Sequence, residues 1–443
     1  MYKVLLEQNP WWSGEPFEEK AGVKRPKYLD QINTHNTSTM ISILTGIRRA
    51  GKSVLFYQNI DQLIKGGVPP ENILYFNFFF ISKDHHHIKI LDTIYNTYIE
   101  NMDPAESQKK YLFLDEIQEI EGFESWVLRF HLKNREKVKI FLTGSSSGLS
   151  SSDISSYFTG RNITLKIFPL DFNEFMDFAG LDITKDAEYK VLYAKQDIIK
   201  SAFSRFLRTG GFPEVVLDPA NMRSILSSFM SDIIYRDIIK PFGIEKTLEL
   251  EGLANYLLSN STNLFSYRKT SRSIGISYET VRKYIAAFEK SSLFYRLPPF
   301  SLSRLAPVSE NASDKIYSAD IGFMNFARIS FTENYGPMAE NLAYNYLSEF
   351  FKETLGYYRD AGSEIDFIFI YRNKTMLLQV TFTDDIDKRK EKALLLHQDK
   401  FKNPVNLIIT KDTYSSRSFD GTSIAYVPLW YFLISGNRFL SGL

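Results

Sequence analysis

Eight residues near the start of the chain, Gly46 to Ser53 in "ILTGIRRAGKSVLF", have the types and spacing of a phosphate loop, filling G-x-x-x-x-G-K-[ST] at every position. Gly46 and Gly51 let backbone N–H groups turn inward around phosphate oxygens, at the positive end of the helix expected to follow. Lys52 reaches the β- and γ-phosphates and the Ser53 hydroxyl holds Mg²⁺. The candidate nucleotide contacts are therefore Gly46, Ile47, Arg48, Arg49, Ala50, Gly51, Lys52, Ser53 and Val54. A second signal, "KKYLFLDEIQ", runs through an apolar strand into Asp115 and Glu116. Asp115 at the strand end is placed to bind Mg²⁺ through water, and Glu116 to polarise an attacking water.

Two further strand ends offer polar groups. "VKIFLTGSSSG" ends in Thr143 and Ser145, where Ser145 either senses the γ-phosphate or caps a helix. "TGRNITLKIFPL" brings Arg161 before a strand. Arg161 either stabilises transition-state charge, within its own chain or from a neighbour, or pairs with a surface acid. The elements that must position these groups are legible around them. Met40 to Leu44 reads as a buried strand, Val54 onward as a helix, and Tyr111 to Leu114 as a second strand. The adjacent Glu places the pattern among ATPases with a strand-end catalytic acid rather than among GTPases. ATP and Mg²⁺ are the expected ligands.

A chain of 443 residues is too long for one ordinary core, so several domains are expected. The net charge of +1 gives no global argument for nucleic acid, and the lack of cysteine excludes disulfides and thiolate metal sites. No apolar run approaches a membrane span, and "MYKVLLEQNPWW" turns polar too soon for a signal peptide, so a cytoplasmic protein with no membrane partner is expected. Trp11 and Trp12 are expected to pack under the sheet edge rather than stack on adenine. The run His85 to His87 reads as a solvated loop, because consecutive side chains cannot all face one ion.

From Asp171 to about Leu217 the pattern is helical, stopped by the turn "TGGFPEVV". "SSFMSDIIYRDIIKPFGI" reads as a further helix, with Arg236 and Asp237 in a structural ion pair. "FSYRKTSRSIGISYETVRKYIAAFEKSSLFYRL" then gives a short helix, a turn and a second helix capped by Ser277, a helix-turn-helix. Seven Lys or Arg stand against Glu279 and Glu289 in that stretch, a surplus of five positive charges. Arg268, Lys269, Arg272, Arg282 and Lys283 are the candidate DNA contacts, the alternative being a solvated face. Near the C-terminus, "SEIDFIFIYRNKTMLLQVTF" reads as a hairpin turning at Arg372-Asn373, which places Asp366 opposite Gln379 and Glu364 opposite Thr381.

In order, "GIRRAGKS", "LFLDEIQ", "LTGSSS", "TGR", "GGFPEVV", "IIYRD", the helix-turn-helix, "KIYSADIGF" and "GSEIDFIF" resemble a family of prokaryotic AAA+-like P-loop ATPases. Members of that family carry a C-terminal domain related to the PD-(D/E)xK nucleases, and the opening "NPWW" is similar to its archaeal members. The resemblance implies an α/β fold: a P-loop parallel sheet flanked by helices, a helical lid and winged helix, and a C-terminal restriction-endonuclease-like α/β domain. The expected boundaries are 1–36 for an N-terminal extension, 37–170 for the ATPase core, 171–230 for the lid, 231–300 for the winged helix-turn-helix and 301–443 for the nuclease-like domain. Nuclease sites of that kind use a helix Glu, a strand Asp and Glu-x-Lys on the next strand. Here Glu340 and Asp366 match the first two, but "QVT" stands in place of Glu-x-Lys, so Gln379 replaces an acid and Thr381 the lysine. Lys374 and Lys388 are the candidates for a migrated lysine. The expectation is a nuclease-shaped module without cleavage, available to bind a protein partner, while the winged helix contacts DNA. The alternatives are an ATP-gated, metal-dependent DNA nuclease, or a DNA-binding protein in which the nucleotide is mainly structural.

Overall fold

The computed structural model describes residues 1–81, 87–105, 107–149, 157–301, 313–327, 335–360, 362–383 and 385–443. The chain divides into two compact units. The first holds Met1–Phe168, Tyr235–Gly243 and Lys290–Ser292; the second holds the remainder. Two pieces of the 231–300 segment thus pack with the first unit. Among the described residues, no helix is long and apolar enough to cross a membrane. Of the histidine run, His85 and His86 lie outside the described residues.

In the first unit, β1 (Ile41–Thr45), β2 (Ile73–Asn77), β3 (Lys110–Asp115), β4 (Val138–Thr143) and β5 (Asn162–Lys166) form one parallel sheet in the order β2-β3-β4-β1-β5. β1, β3 and β4 are buried along their whole length, as parallel strands covered on both faces must be. On one face Phe56, from the helix Lys52–Lys65, packs against Phe113 and Phe141, whose rings stack at 4.8 Å. β2 is an addition to the strands read from sequence. It is an edge strand, and the N-terminal residues cover its open hydrogen-bonding side. The Asn9 side chain accepts from Tyr75 N–H at 2.7 Å and donates to its carbonyl at 2.9 Å, while Gln8 accepts from Asn77 N–H at 2.7 Å. Trp11 and Trp12 pack there as expected, both indole N–H groups donating to the Ile73 carbonyl.

The second unit contains two sheets. β6 (Leu264–Phe265), β7 (Phe294–Leu297) and β8 (Asp314–Ser318) form an antiparallel sheet in the order β6-β8-β7. Between β6 and β7 lie the helices Tyr267–Ile274 and Tyr278–Lys290, separated by a short turn with Gly275 at φ 71°. The Ser277 hydroxyl accepts from Thr280 N–H at 3.0 Å, the N-cap expected there.

The larger sheet joins β9 (Gly356–Asp360), β10 (Ser363–Tyr371), β11 (Lys374–Val380), β12 (Pro404–Thr410), β13 (Ser415–Phe419) and β14 (Thr422–Pro428) in the order β13-β14-β12-β11-β10-β9. β10 and β11 pair antiparallel with Tyr371 opposite Lys374 and Phe367 opposite Leu378. Arg372 and Asn373, at φ 47° and 64°, make the two-residue turn, as the sequence reading required. The helices Gly336–Phe351 and Lys388–His397 pack on these two strands.

Candidate functional site

The carboxyl ends of β1, β3 and β4 meet beside the loop Gly46–Ser53. Gly46 has φ 147°, and a Cβ there would lie 2.1 Å from the Ile167 carbonyl oxygen, so the loop begins where only glycine fits. Gly51 takes the left-handed conformation at φ 93° and N-caps the helix Lys52–Lys65. That helix has no side-chain cap and no acid in its first turn. Its first N–H groups are thus left facing the loop, with the dipole's positive end unopposed, which suits a phosphate.

Lys52 is buried and donates to the carbonyls of Gly46 and Ile47 at 3.0 and 3.1 Å. Burial lowers its pKa, while the charges of Glu116, Asp237 and Asp115 pull it back up. An ammonium has three donors, so one remains for an oxygen in the cradle.

Asp115 is fully buried at the end of β3. The Tyr75 hydroxyl and the Asn77 amide donate to its Oδ2 at 2.7 and 2.8 Å, and the Thr143 hydroxyl donates to Oδ1. Burial and the neighbouring Glu116 raise the Asp115 pKa; Thr143, Ser53 and Tyr75 oppose that rise. The two predicted Mg²⁺ groups, Ser53 and Asp115, are therefore near enough to influence one another. They are hard oxygen donors at the mouth of a phosphate cradle, and they fit Mg²⁺.

Glu116 follows at φ 56°, a left-handed position that turns its side chain out of the strand line. Its N–H donates to the Thr143 hydroxyl at 3.1 Å, and its carboxylate accepts from Gln118 and lies 4.0 Å from Arg48 Nη2.

One expectation needs correction. Arg161 is exposed, its guanidinium donates to the Thr159 carbonyl, and its own carbonyl accepts from Ile41 N–H at the start of β1. The phosphate loop follows the other end of that five-residue strand, roughly 17 Å away at ~3.3 Å per residue, so Arg161 is not part of its own chain's nucleotide site. Ser145 accepts from Gly148 N–H at 3.3 Å and sits 3.2 Å from the Ser147 hydroxyl, in keeping with the capping alternative; Thr143 is the β4 residue that touches Asp115.

Sequence reading missed Tyr75 and Asn77, which lie on the overlooked strand, and Asp237. The Asp237 carboxylate takes Arg48 Nη2 at 2.8 Å and Nε at 3.1 Å, an ion pair with the phosphate loop. Arg236 lies over the Phe79 ring at 4.7 Å. The signal for Asp237 was an acid in an otherwise apolar helical run, which asks for a distant partner.

These features give the first unit the fold and site of a P-loop domain. Residues 38–176 match a family model described as an AAA domain, and residues 200–333 match one described as a domain of unknown function, DUF8612. Over nearly the whole length, the chain is similar to an uncharacterized protein of Haemophilus influenzae strain Rd, 29% identical over 421 residues, 93% of this chain and 99% of that one. It is similarly related to the uncharacterized protein MJ1544 of Methanocaldococcus jannaschii, 29% identical over 411 residues, 88% of this chain and 87% of that one. Among solved structures, the Walker-type ATPase paby2304 of Pyrococcus abyssi overlays at TM-score 0.42 and 14% identity, covering 69% of this chain and 96% of its own. Cdc6p of Pyrobaculum aerophilum overlays at TM-score 0.31 and 11% identity, covering 70% and 97%. Overlays that loose carry no argument.

In the second unit, Glu340, Glu364 and Asp366 surround one ammonium. Lys315 Nζ lies 2.9 Å from Glu340, 2.7 Å from Glu364 and 3.6 Å from Asp366, with its side chain 2% exposed. Lys390, on the helix Lys388–His397, donates to both Asp366 oxygens at 2.8 and 2.6 Å. Burial opposes ionisation of Lys315, but the three carboxylates outweigh it and raise its pKa. Burial likewise opposes ionisation of Asp366, and Lys390 and Lys315 hold its pKa below the usual range. Neither Lys374, which bonds to the Leu443 carbonyl, nor Lys388 reaches this cluster; the lysines there are Lys315 and Lys390. Gln379 donates to the Glu364 carbonyl, and its Oε1 is buried without a hydrogen-bond partner. Two lysines already occupy the centre of this three-acid cluster, and it lacks the Glu-x-Lys pair, so the residues present do not fit a catalytic divalent metal.

The five candidate DNA contacts, Arg268, Lys269, Arg272, Arg282 and Lys283, are all exposed. Arg296, counted in the same basic surplus, is instead bonded to Glu289 at 2.7 Å and Asp314 at 3.2 Å.

Proposed function

We propose that this chain is a Mg²⁺-dependent ATPase acting as a nucleotide-driven switch, coupled to a winged-helix module and to a nuclease-like module that does not cut. The observation that carries the reading is Asp115, buried at the end of β3 and close enough for its charge to act on the loop's Lys52, which the Gly46 and Ile47 carbonyls hold in place. When bound there, Mg²⁺ supplies charge neutralisation across the β- and γ-phosphates. Lys52 and the N–H groups of the helix Lys52–Lys65 hold the phosphates, and Glu116 accepts a proton from the attacking water. Support for the winged helix is the chain order of helix Thr247–Ser259, β6, two helices, β7 and β8. Support for an uncutting module is the lysine-filled acidic cluster. DNA is the proposed partner of the exposed basic helix-turn-helix, and a protein the proposed partner of the C-terminal module.

The test joins turnover, cutting and binding on the purified protein. ATP is hydrolysed, and duplex DNA stays intact with Mg²⁺ or Mn²⁺. DNA affinity falls with rising salt and is weaker after Arg282→Ala with Lys283→Ala. Cutting that disappears in Asp366→Ala contradicts the inactive-module reading, and DNA binding unchanged in the double variant removes the basic helix-turn-helix from the account.

A further inference from the structure

We propose that Arg48 and Asp237 form a pair that reads the γ-phosphate. Arg48 exchanges Asp237 for the terminal phosphate, and this exchange makes the loop discriminate ATP from ADP. The proposal rests on the ATP reading above and names the residues that register the nucleotide state.

Arg48 is the third residue of the phosphate loop, and its side chain is 12% exposed. Asp237 comes from 189 positions further along, with a side chain 3% exposed. The two-point contact at 2.8 and 3.1 Å is the strong form of an Arg–carboxylate bond. It lies in the reaction centre: the same Nη2 is 4.0 Å from Glu116, and the Lys52 ammonium feels the Asp237 charge. Asp237 sits in Ile233–Ile239, a π-helical stretch, a widened turn that is rare and concentrates at functional sites. A charged tie just beyond this segment, Lys240 to Glu119 at 3.4 Å, is exposed on the lysine side and contributes little.

The sign of the exchange follows from the charges. A terminal phosphoryl group attracts Arg48 and repels Asp237; ADP lacks that group and leaves the pair closed. Arg48 therefore cannot serve both acids equally, and ATP binding and the Asp237 contact oppose one another by the same coupling free energy in each direction. Removing the competitor strengthens ATP. Removing the arginine weakens it. ADP responds less than ATP to either change.

The experiment measures Kd for Mg²⁺·ATP and Mg²⁺·ADP on wild type, Asp237→Asn, Arg48→Ala and the double variant, with thermal melts to establish folding. Asp237→Asn raises the ATP-to-ADP affinity ratio by about fivefold or more, and Arg48→Ala lowers it by a similar factor, each at the low end of an ordinary coupling. In the Arg48→Ala background, Asp237→Asn has little further effect. Arg48 lies on the loop, so its variant carries the test alone if Asp237→Asn does not fold. An unmoved ATP-to-ADP ratio, or both nucleotides shifting together in Arg48→Ala, overturns the proposal while leaving the ATP reading standing. A folded wild type that binds neither nucleotide sinks that reading, and the proposal with it.

Discussion

Lys52→Ala is expected to cut ATP turnover by roughly 10²–10³-fold, the loss seen when one preorganised charge-stabilising donor is removed from a reaction centre. The side chain is buried, braced by two loop carbonyls, and surrounded by the charges of Glu116, Asp237 and Asp115. Its position is therefore fixed before any phosphate arrives. Steady-state phosphate release at saturating ATP checks this, with a thermal melt to show that the variant folds. Wild-type turnover in folded Lys52→Ala contradicts the assignment.

Glu116→Gln is expected to behave differently. Turnover falls by about 10²–10⁴-fold, the contribution of a positioned general base, while ATP affinity is retained. The amide keeps the shape and can still accept from Gln118, so the left-handed turn at φ 56° is preserved. It cannot take a proton from water. Single-turnover hydrolysis alongside equilibrium binding separates the two effects. A variant that loses both together shows Glu116 to be a binding group, and one that loses neither moves the base elsewhere.

What could be read from sequence follows the range of the interactions. The phosphate loop was legible because its chemistry is local: eight consecutive residues contain the glycines, the lysine and the hydroxyl, and the flanking strand and helix confirm their context. Asp115 and Glu116 were legible for the same reason, at the end of an apolar run. The hairpin register at Arg372-Asn373 was legible because a two-residue turn fixes every pair behind it. The edge strand Ile73–Asn77 was overlooked because it merges into the aromatic run Phe78–Phe80, which hides its end. Tyr75 and Asn77 were lost with it.

Longer-range partners left weaker traces. Nothing near Arg48 announces Asp237, and nothing near Asp366 announces Lys315, which comes 51 positions earlier. A lysine at the second position of "DKIYS", a strand buried over four of its five residues, was the available hint, since a buried ammonium requires acids around it. Arg161 shows the converse within its own chain. Its place after Gly160 suggested a catalytic role there or in a neighbour, and parallel pairing of β5 with β1 sets it at the strand start, away from its own chain's loop.

The central claim is a triphosphate cradle whose metal is shared by Ser53 and Asp115. The most direct test is a crystal structure grown with a non-hydrolysable ATP analogue and Mn²⁺, with the metal located by anomalous scattering. The account predicts a single strong peak at about 2.1–2.2 Å from Ser53 Oγ, with Asp115 in contact through water and the β- and γ-phosphate oxygens completing the shell. Nucleotide bound with its metal away from both residues, or no nucleotide in the loop at saturating concentration, would contradict it.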